Sequence, residues 1–169
     1  TTNTGSSAAG IRGILPYRGT AGGSITRKLL FVLDDGTNEW GALCYLVGAP
    51  VTFSLRLSKG SAPNYASCLS TTQPVVGTWY FLAFVNASAT SHRLHVNGVQ
   101  EIDEATDYTV VYNALVTSAL GAEYESGGGG VWTLFADVDL SLSRYLSGIA
   151  LTAGQITNLF QMERYSFGA

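Results

Sequence analysis

The chain has 169 residues, of which 46% are hydrophobic and only 12% are charged, and its formal net charge is −3. This length is typical of a single domain that buries most of its apolar surface in one core. Its nine basic residues form no cluster, so it lacks the positive surface that nucleic-acid backbones require. The longest unbroken apolar run, residues 79–85, is far too short to cross a bilayer. We therefore expect neither nucleic-acid binding nor membrane insertion.

Glycine, serine and threonine fill many of the polar positions that charged residues occupy in most proteins. Such a surface suits an extracellular or virion protein, or a subunit that hides part of its surface in an assembly. An ordinary soluble β domain with a weakly charged surface is the alternative. The chain begins at Thr1 rather than at methionine, which we interpret as processing of, or excision from, a longer protein.

The order of strand and turn signals along the chain predicts the architecture. Residues 1–10 are small and polar, the composition of a flexible lead, so we expect a single folded domain over residues 11–169. Many short strands separated by turn residues are typical of an antiparallel sandwich or barrel. The predicted strands are residues 25–33, 39–47, 51–57, 65–69, 78–86, 92–96, 99–102, 117–121, 131–139 and 142–150.

The stretch from Trp79 to Glu101 carries the clearest structural signal. It predicts a long apolar strand and then a hairpin that closes on Asn97-Gly98, because a type I′ turn needs positive φ at both central residues. The strand at residues 78–85 is apolar on both faces, whereas a sandwich strand usually leaves one face in water. We therefore expect both faces to be covered. The cover is the helix near the end of the chain, a long loop or a neighbouring subunit, and we favour the helix.

That helix is predicted over residues 153–164. Thr152 and Gln155 fit a capping box, and Leu151 and Ile156 occupy the two positions of a hydrophobic staple. The apolar residues at helical spacing form one face, which we expect to pack on the strands. These residues are Ile156, Leu159 and Phe160.

The cysteine content does not distinguish an oxidising compartment from a reducing one. Cys44 and Cys68 are the only cysteines. They fit either one disulfide in an oxidising compartment or two buried thiols on apolar strands.

Four segments together resemble a known superfamily. They are similar, in chain order, to the Trp-led strand, the hairpin, the "iG" strand and the closing strand–turn–helix of laminin-G-like and pentraxin-like domains of the concanavalin A-like superfamily. The segments are GTWYFLAFVN, RLHVNG, SALGAEY and SGIALTAGQITNLFQ. The resemblance runs from about Trp40 to Glu163. It implies an all-β fold, a two-sheet antiparallel jelly-roll sandwich with one short C-terminal helix. It also implies an adhesive, lectin-like role, although fold kinship does not transfer activity.

One acidic run is the sharpest catalytic hypothesis. Retaining β-glucanases of this superfamily carry an E-x-D-x-(x)-E motif on one strand, and retaining hydrolysis needs two carboxyl groups about 5–5.5 Å apart. Alternation along a strand places Glu101 and Asp103 on one face and Glu104 on the other. Ala105 and Thr106 stand where the third acid is expected. We therefore predict that the chain is not an enzyme, with glycoside hydrolysis as the alternative.

Calcium is the cofactor that this resemblance raises, because relatives often carry it and it prefers clustered oxygen ligands. The best-placed carboxylates are Asp103 and the pair Asp137 and Asp139, which lie on one face of a predicted strand. None of them has the spacing of a defined calcium loop. We expect no cofactor, with calcium at these residues as the open alternative.

Aromatic residues near turns and strand ends suit a sugar-binding surface, since sugars stack on aromatic faces beside polar partners. Arg93 and His95 add a polar patch with Gln100 if Val96 pairs with Val99 in the hairpin. The aromatic residues that we select as ligand contacts are Trp40, Tyr108, Tyr124 and Trp132.

The sequence therefore predicts a non-catalytic recognition or assembly module with a lectin-like surface. Its expected partners are a glycan or a protein receptor, together with other subunits of an assembly. The expected setting is extracellular, or the outer surface of a virion such as a phage.

Overall fold

A computed structural model describes residues 5–12, 32–34, 39–40, 43–47, 52–58, 65–73, 78–88, 90–105, 117–119, 123–125, 131–133 and 139–167. Thirteen strands and one helix lie in these ranges. The strands are β1 Gly5–Arg12, β2 Val32–Asp34, β3 Glu39–Trp40, β4 Leu43–Val47, β5 Thr52–Ser58, β6 Tyr65–Leu69, β7 Tyr80–Ser88, β8 Ser91–Val96, β9 Val99–Glu104, β10 Thr117–Ala119, β11 Glu123–Glu125, β12 Val131–Thr133 and β13 Asp139–Ser147. The helix is α1 Ala153–Glu163, and a 3₁₀ turn follows at Arg164–Phe167.

All strand pairs in the described part of the chain are antiparallel. A five-stranded sheet has the order β13-β1-β7-β8-β9, and smaller groups have the orders β4-β5-β6, β10-β2-β3 and β11-β12. The protein is therefore built mainly of antiparallel strands with one short helix, as the sequence predicts. In these ranges, no helix is both long and apolar enough to cross a membrane.

The first strand differs from the sequence prediction. Residues 5–10 fall in the stretch expected to be a flexible lead, yet they belong to β1, which pairs with β7 on one side and β13 on the other. Small residues carry little strand signal of their own, because strand preference reflects how side chains pack. The two neighbouring strands instead provide partners for the backbone N–H and C=O groups of β1.

The terminal helix confirms its predicted start. Thr152 is the N-cap residue: its Oγ1 accepts a hydrogen bond from the backbone N–H of Gln155 at 3.3 Å, and its own N–H donates to Gln155 Oε1 at 2.8 Å. This reciprocal arrangement is the capping box, which satisfies two N–H groups that the helix leaves unpaired. The helix ends at Glu163, one residue before the predicted end, and the N–H of Arg164 donates to the carbonyl of Phe160.

The helix covers one face of β7, as expected. Phe81, Ala83 and Val85 are buried together with Ile156 of α1, and Leu151, Leu159 and Phe160 pack around this cluster. The opposite face of β7 is also buried, because Tyr80 lies against Phe53 of β5 with the ring centroids 5.3 Å apart. Both faces of the strand are therefore covered, which explains why the sequence is apolar on both.

The β8–β9 hairpin closes on the predicted turn, with φ of 50° at Asn97 and 81° at Gly98. Asn97 also ties the turn to β7, because its backbone N–H donates to the carbonyl of Phe81 at 2.8 Å and its Oδ1 accepts from the N–H of Phe81 at 2.9 Å. The carbonyl of Gly98 accepts a hydrogen bond of 2.9 Å from Thr157 Oγ1. The hairpin turn is thus a docking point for α1.

Replacing Gly98 with alanine is expected to lower the free energy of unfolding by about 2–3 kcal/mol. A Cβ atom there would lie 3.1 Å from Cδ1 of Phe160, at a φ that side chains disfavour. Gly148→Ala is the matched control, since Gly148 has a φ of 73° and nothing within 4 Å of an added Cβ. Urea denaturation should show a clearly larger loss at Gly98. Equal losses would contradict the close contact with the helix.

The strand register shows whether Cys44 and Cys68 can form a disulfide with each other. Leu55 of β5 pairs with Cys44 of β4 on one side and with Cys68 of β6 on the other. Two strand spacings separate the cysteines, so their Cα atoms are about 10 Å apart. A disulfide needs Cα atoms within about 7 Å. The two residues therefore do not form a disulfide with each other in this fold.

Candidate ligand-binding site

Two of the predicted aromatic contacts are cross-strand partners in the β11–β12 ladder. Tyr124 is the direct cross-strand partner of Trp132, with Glu123 opposite Thr133 and Glu125 opposite Val131. Residues directly opposite in an antiparallel ladder share one face of it. The register therefore places an aromatic pair on one face of this ladder, which we call the aromatic ladder.

The other two predicted aromatic contacts are not brought to the aromatic ladder by strand pairing. Trp40 lies in β3 opposite Leu33 of β2, in the group that also contains β10. Tyr108 lies outside the residues that the structure describes. The sequence analysis selected Tyr124 and Trp132 as ligand contacts but did not predict that they pair across the ladder. The Gly-rich segment between these two residues could have predicted the pairing, because glycine-containing loops commonly join hairpin strands.

The hairpin register agrees with the sequence prediction at its turn, since Val96 pairs with Val99 and His95 with Gln100. Arg93 is half-buried, and its guanidinium donates to Ser91 Oγ from Nε at 3.2 Å and from a terminal nitrogen at 3.0 Å. Its partner on β9 is Asp103. Contacts within the hairpin therefore fix the Arg93 side chain, and only part of its surface is accessible to a ligand.

His95 corrects the expectation of an exposed polar patch, because its side chain is 0% exposed. Neither of its ring nitrogens has a hydrogen-bond partner within the described ranges. Burial lowers the pKa of His95, the charge of Arg93 lowers it further, and the charge of Asp103 opposes the shift. Cross-strand pairing correctly predicts the face on which His95 lies, but it does not reveal what covers that face. His95 is therefore a buried neutral imidazole rather than a surface contact.

Glu101 has a structural role. Its Oε2 accepts hydrogen bonds from the backbone N–H groups of Thr71 and Thr72, each at 2.9 Å, and its Oε1 accepts from Thr72 Oγ1 at 2.5 Å. The adjacent Ser70 is tied to Phe53, whose N–H donates to Ser70 Oγ at 3.0 Å. The carboxylate thus fixes the segment that follows β6 onto β9.

A β-bulge separates Glu101 from Asp103. The register shifts between Leu94 and His95, so Glu101 has no Cα partner on β8. Simple alternation of faces does not hold across a bulge, because the extra residue interrupts the pleat. The prediction that Glu101 and Asp103 share one face of the strand therefore does not hold in the structure. Asp103 instead lies opposite Arg93 and accepts a hydrogen bond from Gln100 Nε2 at 3.3 Å.

The predicted calcium ligands are not gathered into one place by the described structure. Asp103 is exposed on β9, Asp139 begins β13 as the partner of Arg12, and Asp137 lies outside the described residues. Among the residues with described positions, no three His, Cys, Asp or Glu residues lie close enough together to hold a metal ion. Calcium binding requires several clustered oxygen ligands.

The chain matches no protein-family model and no curated protein. It is similar to solved structures. One is domain 4 of a GH43 extracellular arabinanase from Geobacillus stearothermophilus in complex with arabinotriose, at 18% identity and a TM-score of 0.64, covering 95% of this chain and 68% of that chain. Another is a heptameric SAP-like pentraxin from Limulus polyphemus, at 16% identity and a TM-score of 0.63, covering 93% and 69%.

A third similar structure is the binding domain of botulinum neurotoxin DC in complex with rat synaptotagmin II. It is 11% identical with a TM-score of 0.59, covering 97% of this chain and 37% of the toxin domain. These neighbours have jelly-roll folds of the concanavalin A-like type. The comparison therefore agrees with the resemblance found in the sequence at the level of the fold.

Proposed function

We propose that this chain is a non-catalytic recognition module that binds a glycan or a protein receptor outside the cell. The proposal places the aromatic ladder on a two-sheet jelly-roll sandwich, with α1 packed across the five-stranded sheet. Support comes from neighbours whose structures contain arabinotriose or synaptotagmin II. The observation that carries the proposal is the pairing of Tyr124 with Trp132 across the β11–β12 ladder.

The ligand chemistry that suits this pair is a neutral sugar. Aromatic faces bind the apolar faces of sugar rings, while neighbouring polar groups accept and donate hydrogen bonds at the ring edges. Glu123 and Glu125 are the chain neighbours of Tyr124; strand alternation places them on the opposite face of the ladder, where they still add negative charge close to the site. Carboxylates near the site disfavour anionic sugars by charge repulsion. A glycan is therefore the favoured occupant, and a protein receptor is the alternative.

The absence of catalysis is part of the proposal. Glu101, the best catalytic hypothesis from the sequence, accepts three hydrogen bonds from Thr71 and Thr72. A nucleophile or general acid has to reach the reacting atoms of the substrate. A carboxylate committed to the protein backbone is poorly placed for either task. Glycoside hydrolysis is therefore disfavoured relative to binding, and we propose that binding proceeds without calcium.

We propose an extracellular assembly or the outer surface of a virion as the setting. The low charge content supports it, since charged residues make up only 12% of the chain. Exposed apolar side chains on the described surface also fit contacts with other subunits. These are Leu69, Val99, Ile149, Met162 and Tyr165.

Replacing Trp132 with alanine is expected to weaken glycan binding about ten-fold or more, equivalent to about 1.4 kcal/mol. A neutral glycan array that includes arabino-oligosaccharides, probed with and without EDTA, would identify ligands for calorimetric titration. Tyr124→Ala should cause a similar loss, because the two residues pair in the ladder.

Trp40→Ala is the matched control, since Trp40 lies in a different strand group and should leave the affinity within about two-fold of wild type. Thermal melting of each variant would confirm that it remains folded. No binding of the wild-type chain to any glycan would remove the glycan proposal. Unchanged affinity in folded Trp132→Ala would exclude the aromatic ladder as its site.

A further inference from the structure

A single row of cross-strand partners runs across the sheet face on which α1 packs. Direct partners in antiparallel strands share a face, so the whole row lies on the face that Ala83 presents to Ile156. The row consists of Arg144, Ala8, Ala83, His95 and Gln100, on β13, β1, β7, β8 and β9 in turn. It therefore places the buried His95 two strands away from Ala8, within the layer that α1 covers.

Three contacts fasten α1 across this row. The contacts are Phe160 against Phe81 with ring centroids 5.9 Å apart, Thr157 Oγ1 donating to the carbonyl of Gly98 at 2.9 Å, and an ion pair between Glu163 and Arg144. They reach β7, the β8–β9 turn and β13, so the helix bridges nearly the full width of the sheet. Since β8 lies between β7 and β9, the face of His95 lies beneath this bridge.

The surroundings of His95 do not stabilise a positive charge on its imidazole ring. Its side chain is fully buried, and the described structure offers neither ring nitrogen a hydrogen-bond partner. A charge buried without a partner is costly, because it loses its hydration and gains nothing in return. A protonated imidazole there would favour any motion that brings it to water. The element whose motion uncovers this face of the sheet is α1.

The charged groups around His95 do not offset this cost. On β8, Arg93 repels a second positive charge, and on β9 the exposed Asp103 attracts it but already faces Arg93. The part of β7 beside His95 is the apolar cluster. On α1, Glu163 forms an ion pair with Arg144 of β13. Beyond the helix, the Arg164 guanidinium stacks 4.9 Å above the ring of Tyr165.

We propose that α1 is an acid-released clamp: protonation of His95 in a mildly acidic medium loosens the helix from the five-stranded sheet. Release exposes the apolar face formed by Phe81, Ala83 and Val85. This property is independent of glycan binding at the aromatic ladder.

The direction of the pH effect follows from linkage. Histidine exposed to water titrates near pH 6.5, and burial lowers the pKa of His95 while α1 is docked. The released state therefore binds more protons than the docked state below about pH 6.5. Docking is strongest above that pH. It weakens by up to ten-fold per pH unit as the pH falls toward the docked-state pKa, for one proton.

Hydrogen–deuterium exchange on the full chain at pH 7.5, 6.5 and 5.5 tests the clamp, with rates corrected for intrinsic exchange. In the wild type, protection of residues 153–163 should fall by up to ten-fold per unit below pH 6.5, while β7 keeps its protection. His95→Gln and His95→Phe should remove the extra loss at the helix, and two substitutions guard against one of them failing to fold.

His92→Phe is the matched control, because His92 is the other buried histidine of the chain and lies on the same strand, paired with Asn86 and Glu104. This variant should keep the pH response of α1. The proposal is overturned if helix protection in folded His95→Gln or His95→Phe depends on pH as in the wild type. It is also overturned if α1 and β7 of the wild type lose protection together, or if His92→Phe abolishes the response.

Discussion

Replacing Ile156 with alanine is expected to lower the free energy of unfolding by about 2–5 kcal/mol. Ile156 is 0% exposed and forms one cluster with Phe81, Ala83 and Val85 of β7. Truncation removes buried methyl groups and leaves a cavity between the helix and the sheet, which neighbouring strands can close only in part. Urea denaturation followed by circular dichroism would measure the loss. This variant tests whether α1 is an integral part of the core.

The matched control for this variant is Met162→Ala on the same helix. Met162 is 66% exposed, so its truncation should change the free energy of unfolding by no more than about 0.5 kcal/mol. Both changes remove a large apolar side chain at a helical position, and they differ in burial. Similar small effects at the two positions would mean that α1 is not docked on β7.

Replacing Glu101 with alanine is expected to lower the free energy of unfolding by about 2–3 kcal/mol. The variant loses the carboxylate that accepts from the backbone N–H groups of Thr71 and Thr72 and from the Thr72 hydroxyl. Hydrogen bonds to a charged acceptor contribute more than neutral ones, and the part-buried N–H of Thr72 is left without its acceptor. Thermal and urea denaturation would both report this loss.

Asp103→Ala is the control for Glu101→Ala. Asp103 is an exposed acid on the same strand, with one long hydrogen bond from Gln100, so its loss should cost no more than about 0.5 kcal/mol. At a temperature where both variants are folded, each should bind glycan as the wild type does. A stability loss at Asp103 equal to that at Glu101 would contradict the structural role assigned to Glu101.

The features that the sequence predicted best are those encoded by neighbouring residues. The Asn97-Gly98 turn requires a backbone conformation that few residue pairs adopt. The Thr152–Gln155 capping box is likewise complete within four consecutive residues. The two-sided apolar pattern of β7 implied that something covers it. The helix, which we favoured over a loop or a neighbouring subunit, covers one of its faces.

The features that the sequence missed depend on distant parts of the chain. β1 is a strand because β7 and β13 flank it, whereas its small residues carry no strand pattern. The bulge at Glu101 breaks a face assignment that simple alternation supports. His95 lies on the predicted face of the hairpin, but its burial depends on packing that the pattern of the hairpin alone does not contain. The partnership of Tyr124 with Trp132 likewise became visible only through the strand register.

The most direct test of the proposed function is a nuclear magnetic resonance titration of the ¹⁵N-labelled chain with the oligosaccharide that binds best on the array. We expect the largest shift changes at residues 123–125 and 131–133, with the sugar recovered intact. The largest changes at residues 101–104, accompanied by release of new reducing ends, would contradict the account and establish a glycoside hydrolase instead.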